Sequence, residues 1–530
     1  MSLLARIARR SDARLNTHTA PVPVRPDAPH VAVIGSGFGG LAAAVRLLVR
    51  GYRVTVVDRL DQPGGRARVF RETTDAGTYV FDAGPTLITA PFLFDELWKL
   101  AGRHLSDDVD LVPITPFYRI RFDDGAVFDY TGDADAMRRE IARFNPSDVA
   151  GYERFLKKSE SIYNVGFEEL GHVPFSRPSD MARIAPAMAA LESHRTVYGL
   201  VSKYIKDHRL RQVFSFHPLL VGGNPFSTTS IYTLIAFLER KWGVWYAMGG
   251  TGALVRGIAG LIEDLGGQFR WGETVEEITV EAGRATGLRL ESGEHLAADL
   301  VVSNADAAWT YRHLVAPQHR PTWNDDKLDR AKLSMSLFVW YFGTDRQYED
   351  VAHHTILLGP RYRELLDDIF HHHRLADDFS LYLHRPTATD PTMAPPGHDA
   401  FYVLSPVPHL DSGTDWHAQA ERYRQAIEDS LAESVLPGLG EHLTVSRTLD
   451  PQGFLDDYLS VKGAAFSFEP VLMQSAYFRP HNVSEDVEGL YLVGAGTHPG
   501  AGMPGVLSSA RVLDTIVPDP ASLARSLQPA

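Results

Sequence analysis

The first clear element in the chain is an apolar run, Val31 to Ile34, with no polar position on either face. A strand covered on both sides of a parallel sheet reads this way. Gly35-Ser-Gly37-Phe-Gly-Gly40 follows, and then Leu41-Ala-Ala-Ala-Val45, whose small residues predict a helix packed closely on the strand. A second β-rich run, Arg53 to Asp58, ends in an acid roughly 20 residues further on, completing a β-α-β unit. Residues 118–130 alternate, with Tyr118, Ile120 and Phe122 against Arg119 and Arg121, and turn at Asp124-Gly125. That pattern predicts a β-hairpin in a separate, substrate-side sheet.

From Pro146 to about Trp245 the pattern becomes helical. Gly249-Gly250-Thr251-Gly252 opens a helix expected to end near Leu265. Strands are expected at Gln268–Trp271, Thr274–Ile278 and Asp299–Ser303, within 330–480 near Leu333–Phe342 and Phe401–Leu404, and a long helix near 416–435. Late in the chain a strand from Leu490 enters the loop Gly494-Ala-Gly496-Thr-His498-Pro-Gly500-Ala-Gly502, and a helix leaves it through Leu513. The return of β structure after the helical stretch implies a discontinuous nucleotide domain, 30–115 plus 250–310 plus 485–517. The substrate domain is then 116–145 plus 311–484, with a helical, membrane-associating insertion at 146–249. Residues 1–29 read as a disordered basic arm that rests on anionic lipid.

Each part of the N-terminal unit has a physical use. Gly35 permits the tight turn, Gly37 lets the backbone approach a pyrophosphate, and Gly40 lets the helix close on the strand. The helix N-terminus offers unpaired N–H groups to phosphate, and Asp58 is placed to accept from a ribose. Arg66, held by Gly64-Gly65, is a candidate charge clamp on the pyrophosphate. The late glycine loop is read as aiming its helix at the pyrimidine edge of a flavin, where a helix dipole favours negative charge.

Composition narrows the field. The chain has 530 residues, enough for more than one core, and a formal charge of -14, which excludes nucleic acid as a main partner. It has no cysteine, which removes disulfides, Cys-ligated metal and thiol catalysis. No stretch of about 18 apolar residues occurs. Ile231–Leu238 comes nearest, and Glu239-Arg240-Lys241 stop it before Trp242, Trp245 and Tyr246. These aromatics read either as an interfacial membrane contact or as ordinary helix packing. Asp180 and Arg183 sit three residues apart in a helical region and are the candidate catalytic pair, weighed against an exposed helix salt bridge. His498 is read either beside a flavin or as a loop-packing residue. His371-His372-His373 is read as a solvated loop, so no metal is assigned.

Gly35-Ser-Gly-Phe-Gly-Gly-Leu41, Gly64-Gly-Arg-Ala67, Asp82-Ala-Gly-Pro-Thr86 and the late glycine loop resemble those of bacterial phytoene desaturases of the carotenoid pathway. So do Phe214-Ser-Phe-His217, Gly222-Gly-Asn-Pro-Phe226 and His353-His-Thr355. The resemblance implies an α/β fold: a Rossmann-type FAD-binding domain with an amine-oxidase-like substrate domain and a helical insertion. It implies non-covalent FAD held by Gly35, Ser36, Gly37, Gly40, Asp58 and Arg66. Val275 stands at adenine through its backbone, and Gly494 and Met503 at the flavin ring. Ala495 stands where many flavoenzymes carry an acid, so no side-chain contact to the ribityl chain is assigned there.

The implied reaction is desaturation of phytoene to lycopene or neurosporene by successive hydride transfer, with oxygen or a quinone as final acceptor. At about 0.8 kcal/mol per CH₂, transferring roughly forty carbons from water would yield on the order of 30 kcal/mol, above the practical affinity ceiling of about 21 kcal/mol. A C40 carotene is therefore expected to enter directly from a bilayer, with the protein cytoplasmic and peripheral on the inner face of the cell membrane. The competing readings are a related flavin carotenoid oxidase or isomerase, an amine oxidase, and a flavin-free prenyl- or lipid-binding module.

Overall fold

The structure, a computed structural model, describes residues 21–527. Five parallel strands form the central sheet, in the order Leu490–Leu492, Leu300–Ser303, His30–Ile34, Arg53–Asp58 and Gln268–Trp271. Three distant stretches of chain thus build one sheet. Val31 pairs with Val54 on one side and Leu300 on the other, so the apolar run sits in the middle, buried on both faces. The helix Phe38–Val49 is buried at every position. It packs with the helices Thr251–Asp264 and Met503–Ile516 on one face of the sheet. The antiparallel strands Val275–Glu281, Arg284–Leu290 and His295–Ala297 cover the other face. This is the three-layer arrangement expected of a doubly wound sheet.

The second sheet has seven strands. Ser336–Thr344 pairs residue for residue with Asp399–Val407 and is buried throughout. Its side chains divide by the period of two. Phe338, Trp340 and Phe342 face the helix Trp416–Ser434, whereas Leu337, Val339 and Tyr341 face inward. The expected hairpin is present as Tyr118–Arg121 against Val127–Tyr130, at the far edge of this sheet.

Two expectations about organisation change. The helical stretch does not stand apart. Its Tyr152, Phe155, Val201 and Phe214 share one core with Tyr118, Phe128 and Tyr341 of the seven-stranded sheet. Of the expected disordered arm, Arg6, Arg9, Arg10 and Arg14 lie outside the described residues. Residues 21–29 are fastened down, because Val22 N–H donates to the Val49 carbonyl at 2.9 Å and Ala28 is buried. Among the described residues, no helix is long and apolar enough to cross a membrane.

Candidate active site

One large cavity of about 1030 Å³ runs between the two sheets. It lies at the top of the usual range of roughly 300–1,000 Å³ for a ligand site. One end is built by the glycine loops at the carboxyl edge of the parallel sheet. The other is a passage walled by Leu337, Val339, Ile356, Leu404, Phe216 and Ile235.

At the first end, backbone approach is enforced by sterics. A Cβ on Gly40 would lie 2.0 Å from the Gly35 carbonyl oxygen, so this glycine packs helix on strand and does not line the cavity. Gly35 and Gly37 do line it. Asp58 is buried, with Oδ2 accepting from Ser36 N–H at 2.7 Å and Ser36 Oγ at 2.5 Å, and Oδ1 accepting from Leu60 N–H at 2.9 Å. Ser36 therefore anchors Asp58 and does not point to the cavity, a correction to its expected role in cofactor contact. Asp58 still lines the cavity, and its Oδ1 keeps a lone pair for a ribose hydroxyl.

Nothing local in the sequence marks Asn304. It follows the strand Leu300–Ser303 and wedges between the two glycine loops: a Cβ on Gly39 would meet its Oδ1 at 2.5 Å and one on Gly494 at 2.7 Å. Its position just past a strand neighbouring the first β-α-β unit was the available signal. Asp82, in the turn expected against the cofactor ring, instead accepts from Thr251 and Gly252 N–H at the start of the helix Thr251–Asp264. Burial pushes its carboxyl up to about 6, against those two hydrogen bonds. Ala83 to Thr86 form the cavity wall beside it.

These residues fit a flavin dinucleotide. The Arg66 guanidinium lines the cavity, donates from Nη2 to Ser460 Oγ at 2.8 Å and has an unpaired Nε. Desolvation lowers its pKa, so a polyanion placed there would relieve it. Val275, Gly494 and Met503 also line the cavity, as does the first turn of the helix Met503–Ile516 with its free N–H groups. His498 lines the wall against Phe175, and burial holds its imidazole down to about 3, so it is neutral.

The structure places the expected catalytic pair, Asp180 and Arg183, off the cavity wall. Asp180 closes a capping box with Arg177 at the start of the helix Pro178–Ala190, and Arg183 lies 3.5 Å from Asp180 as a partly exposed i,i+3 ion pair. Neither lines the cavity; Met181, Ala185 and Met188 of the same helix do. A buried acid does stand in the passage: Glu239, which the sequence alone presents as the polar stop of an apolar run. It is 0% exposed and lines the passage, accepting from Tyr118 OH at 2.6 Å and paired with His217 Nε2 at 3.1 Å. Burial and then Glu239 itself raise the Tyr118 phenol well above its ordinary range, so Tyr118 stays a donor. The run before it, Ile231 to Leu238, forms cavity wall. Trp242 packs on Phe92 and donates to Tyr163 OH at 3.0 Å, and Tyr246 is buried, so these aromatics are packing residues.

The flavin containing amine oxidoreductase family matches residues 38–512. A neurosporene-forming phytoene desaturase of Cereibacter sphaeroides is 50% identical over 509 residues, covering 95% of this chain and 97% of that protein. A lycopene-forming phytoene desaturase of Paracoccus sp. is 50% identical over 487 residues, covering 92% of this chain and 96% of that one. The chain belongs to the flavin containing amine oxidoreductases, in their bacterial phytoene desaturase branch. Its cofactor is FAD. In fold it is also similar to putrescine oxidase bound to putrescine, with a TM-score of 0.60 at 14% identity, covering 94% of this chain and 99% of that one. An oxidoreductase from Methanosarcina mazei gives a TM-score of 0.60 at 16% identity, covering 91% of this chain and 99% of that one.

Proposed function

We propose that this protein is an FAD-dependent phytoene desaturase that draws a C40 carotene from a bilayer and converts it to neurosporene or lycopene. The observation that carries this reading is the continuity of one cavity from the Arg66 end into a passage walled by aliphatic and aromatic side chains. An amine substrate would call for a polar cage there, and a flavin-free lipid carrier would have no use for Arg66, Asp58 and the close-packed glycines together.

The flavin supplies the acceptor for a hydride. The chain's part is to hold the polyene in line by shape, to keep water out, and to receive the proton that leaves the neighbouring carbon. Glu239 is our candidate acceptor for that proton. Tyr118 and His217 fix both of its oxygens and keep a buried carboxylate hydrogen-bonded where the wall is otherwise apolar.

The mouth supports uptake from lipid. Leu472, Met473 and Phe478 are 42%, 64% and 37% exposed, and all three line the cavity. The exposed Ala182, Ala185 and Ala189 stand on the helix Pro178–Ala190, which packs against the turn Ala476–Phe478. Exposed Arg177, Arg183 and Lys332 flank this rim and suit anionic headgroups on an inner membrane face. Incubating the protein with FAD and phytoene in liposomes, with oxygen or a quinone as final acceptor, is expected to yield red-shifted polyenes. Absence of any such product overturns the reading.

A further inference from the structure

Behind the tyrosine wall of the cavity lies a group of side chains that the desaturation chemistry does not use. His354 and His384 face each other across the paired strands His354–Leu357 and Leu381–His384, and His353 precedes the first of them. The ring centroids are 4.5 Å (His353–His354), 4.8 Å (His353–His384) and 5.2 Å (His354–His384) apart. One nitrogen from each ring lies within 4.8 Å of the other two. All three residues are more than nine-tenths buried, and no carboxylate belongs to the cluster. The Nε2 of every ring lacks a hydrogen-bond partner among the described residues. Three unpaired polar atoms in one buried spot are costly to the fold unless something meets them.

We propose that His353, His354 and His384 bind one divalent first-row transition-metal ion of the zinc class. Three neutral imidazoles with a fourth position left open is a known donor set for such ions, and oxygen-seeking magnesium or calcium would find no ligand here. Metal–nitrogen bonds of about 2.0–2.1 Å in a tetrahedron set nitrogen atoms roughly 3.4 Å apart. One nitrogen from each ring already lies within 4.8 Å of the other two, so binding an ion draws the three rings inward to that spacing.

Two rings are oriented from behind, as ligating histidines usually are. His353 Nδ1 meets Thr389 Oγ1 at 2.6 Å, and His354 Nδ1 meets Tyr382 OH at 2.7 Å. Burial holds all three imidazoles neutral, which is the ligating form. The nearby Arg385 is engaged by Asp399 at 2.9 Å, so its charge is met locally. Tyr382 also reaches Thr86 Oγ1 at 3.3 Å on the cavity wall. The ion would thus pin two strands and the tyrosine wall, and it takes no part in the redox step.

The test uses tag-free, flavin-loaded protein titrated with zinc alone, then dialysed and measured by elemental analysis and zinc-edge X-ray absorption. The expected result is about one zinc per chain with three imidazole nitrogens, at least about tenfold less in His384→Gln and His353→Gln, and no change in a variant with His371→Ala and His372→Ala. Flavin absorbance reports whether each variant has folded. If both buried variants lose flavin, the unaltered protein still decides, through its stoichiometry and nitrogen count. Uptake below about 0.1 equivalent by unaltered protein, or metal that leaves with His371 and His372, overturns the proposal.

Discussion

The two ends of the cavity are built on different rules. At the flavin end, backbone does the work: Gly37, Gly39 and Gly494 crowd Asn304, and an added carbon on any of them would lie 2.5–3.0 Å from its side-chain amide. At the far end the work is done by side chains such as Leu337, Val339 and Phe216, and polarity shrinks to isolated groups like Glu239. The first end recognises a charged, rigid group through fixed amides and one arginine. The second has to accept a long apolar molecule that offers no handle, and shape is all it can use. Precision is thus concentrated where the ligand has charge.

This contrast breaks most sharply at Gly40. Gly40→Ala sets a Cβ on the Gly35 carbonyl, and the expected outcome is protein without flavin, read as loss of its visible absorbance. Glu239→Gln leaves flavin binding intact and lowers turnover by about 10²–10⁴-fold, measured as product per flavin in liposomes. A colourless Glu239→Gln protein would show that this acid belongs to the fold instead.

His498 sharpens the comparison through pH. Its folded pKa, about 3, lies below the unfolded value, so the unfolded chain binds the extra proton and stability rises with pH across that window. Lowering the pH from 6.5 to 5.5 is expected to remove about 1 kcal/mol through this residue, and His498→Leu to flatten the denaturation midpoint against pH accordingly. The smallest effect is expected at the rim. Breaking the partly exposed pair with Arg183→Ala changes stability by about 0.5 kcal/mol or less, read as the denaturation midpoint, and leaves flavin absorbance unchanged.

Legibility in the sequence follows the same divide. The β-α-β unit, the late glycine loop, the hairpin at 118–130 and the helix near 416–435 were readable, because each is set by neighbours in the chain. Local spacing also singles out Arg66 and Asp58, and both line the cavity. It could not give Glu239, which looks like a helix-ending charge until Tyr118 arrives from a strand more than a hundred positions away. Asp180 and Arg183 show the converse, standing off the cavity wall. Their spacing is right for contact with each other, and nothing local says which face of the helix meets the cavity. Asn304 was hidden because its role is to separate two loops that only the folded sheet brings together.

The parallel sheet carries an implication for biosynthesis. Its edge strand, Leu490–Leu492, and the loop from Gly494 that closes over the flavin end are translated long after Gly35 and Arg66. Prosthetic-group capture must therefore await near-complete synthesis, and nascent polypeptide stalled anywhere in the middle would hold half a cradle with no lid.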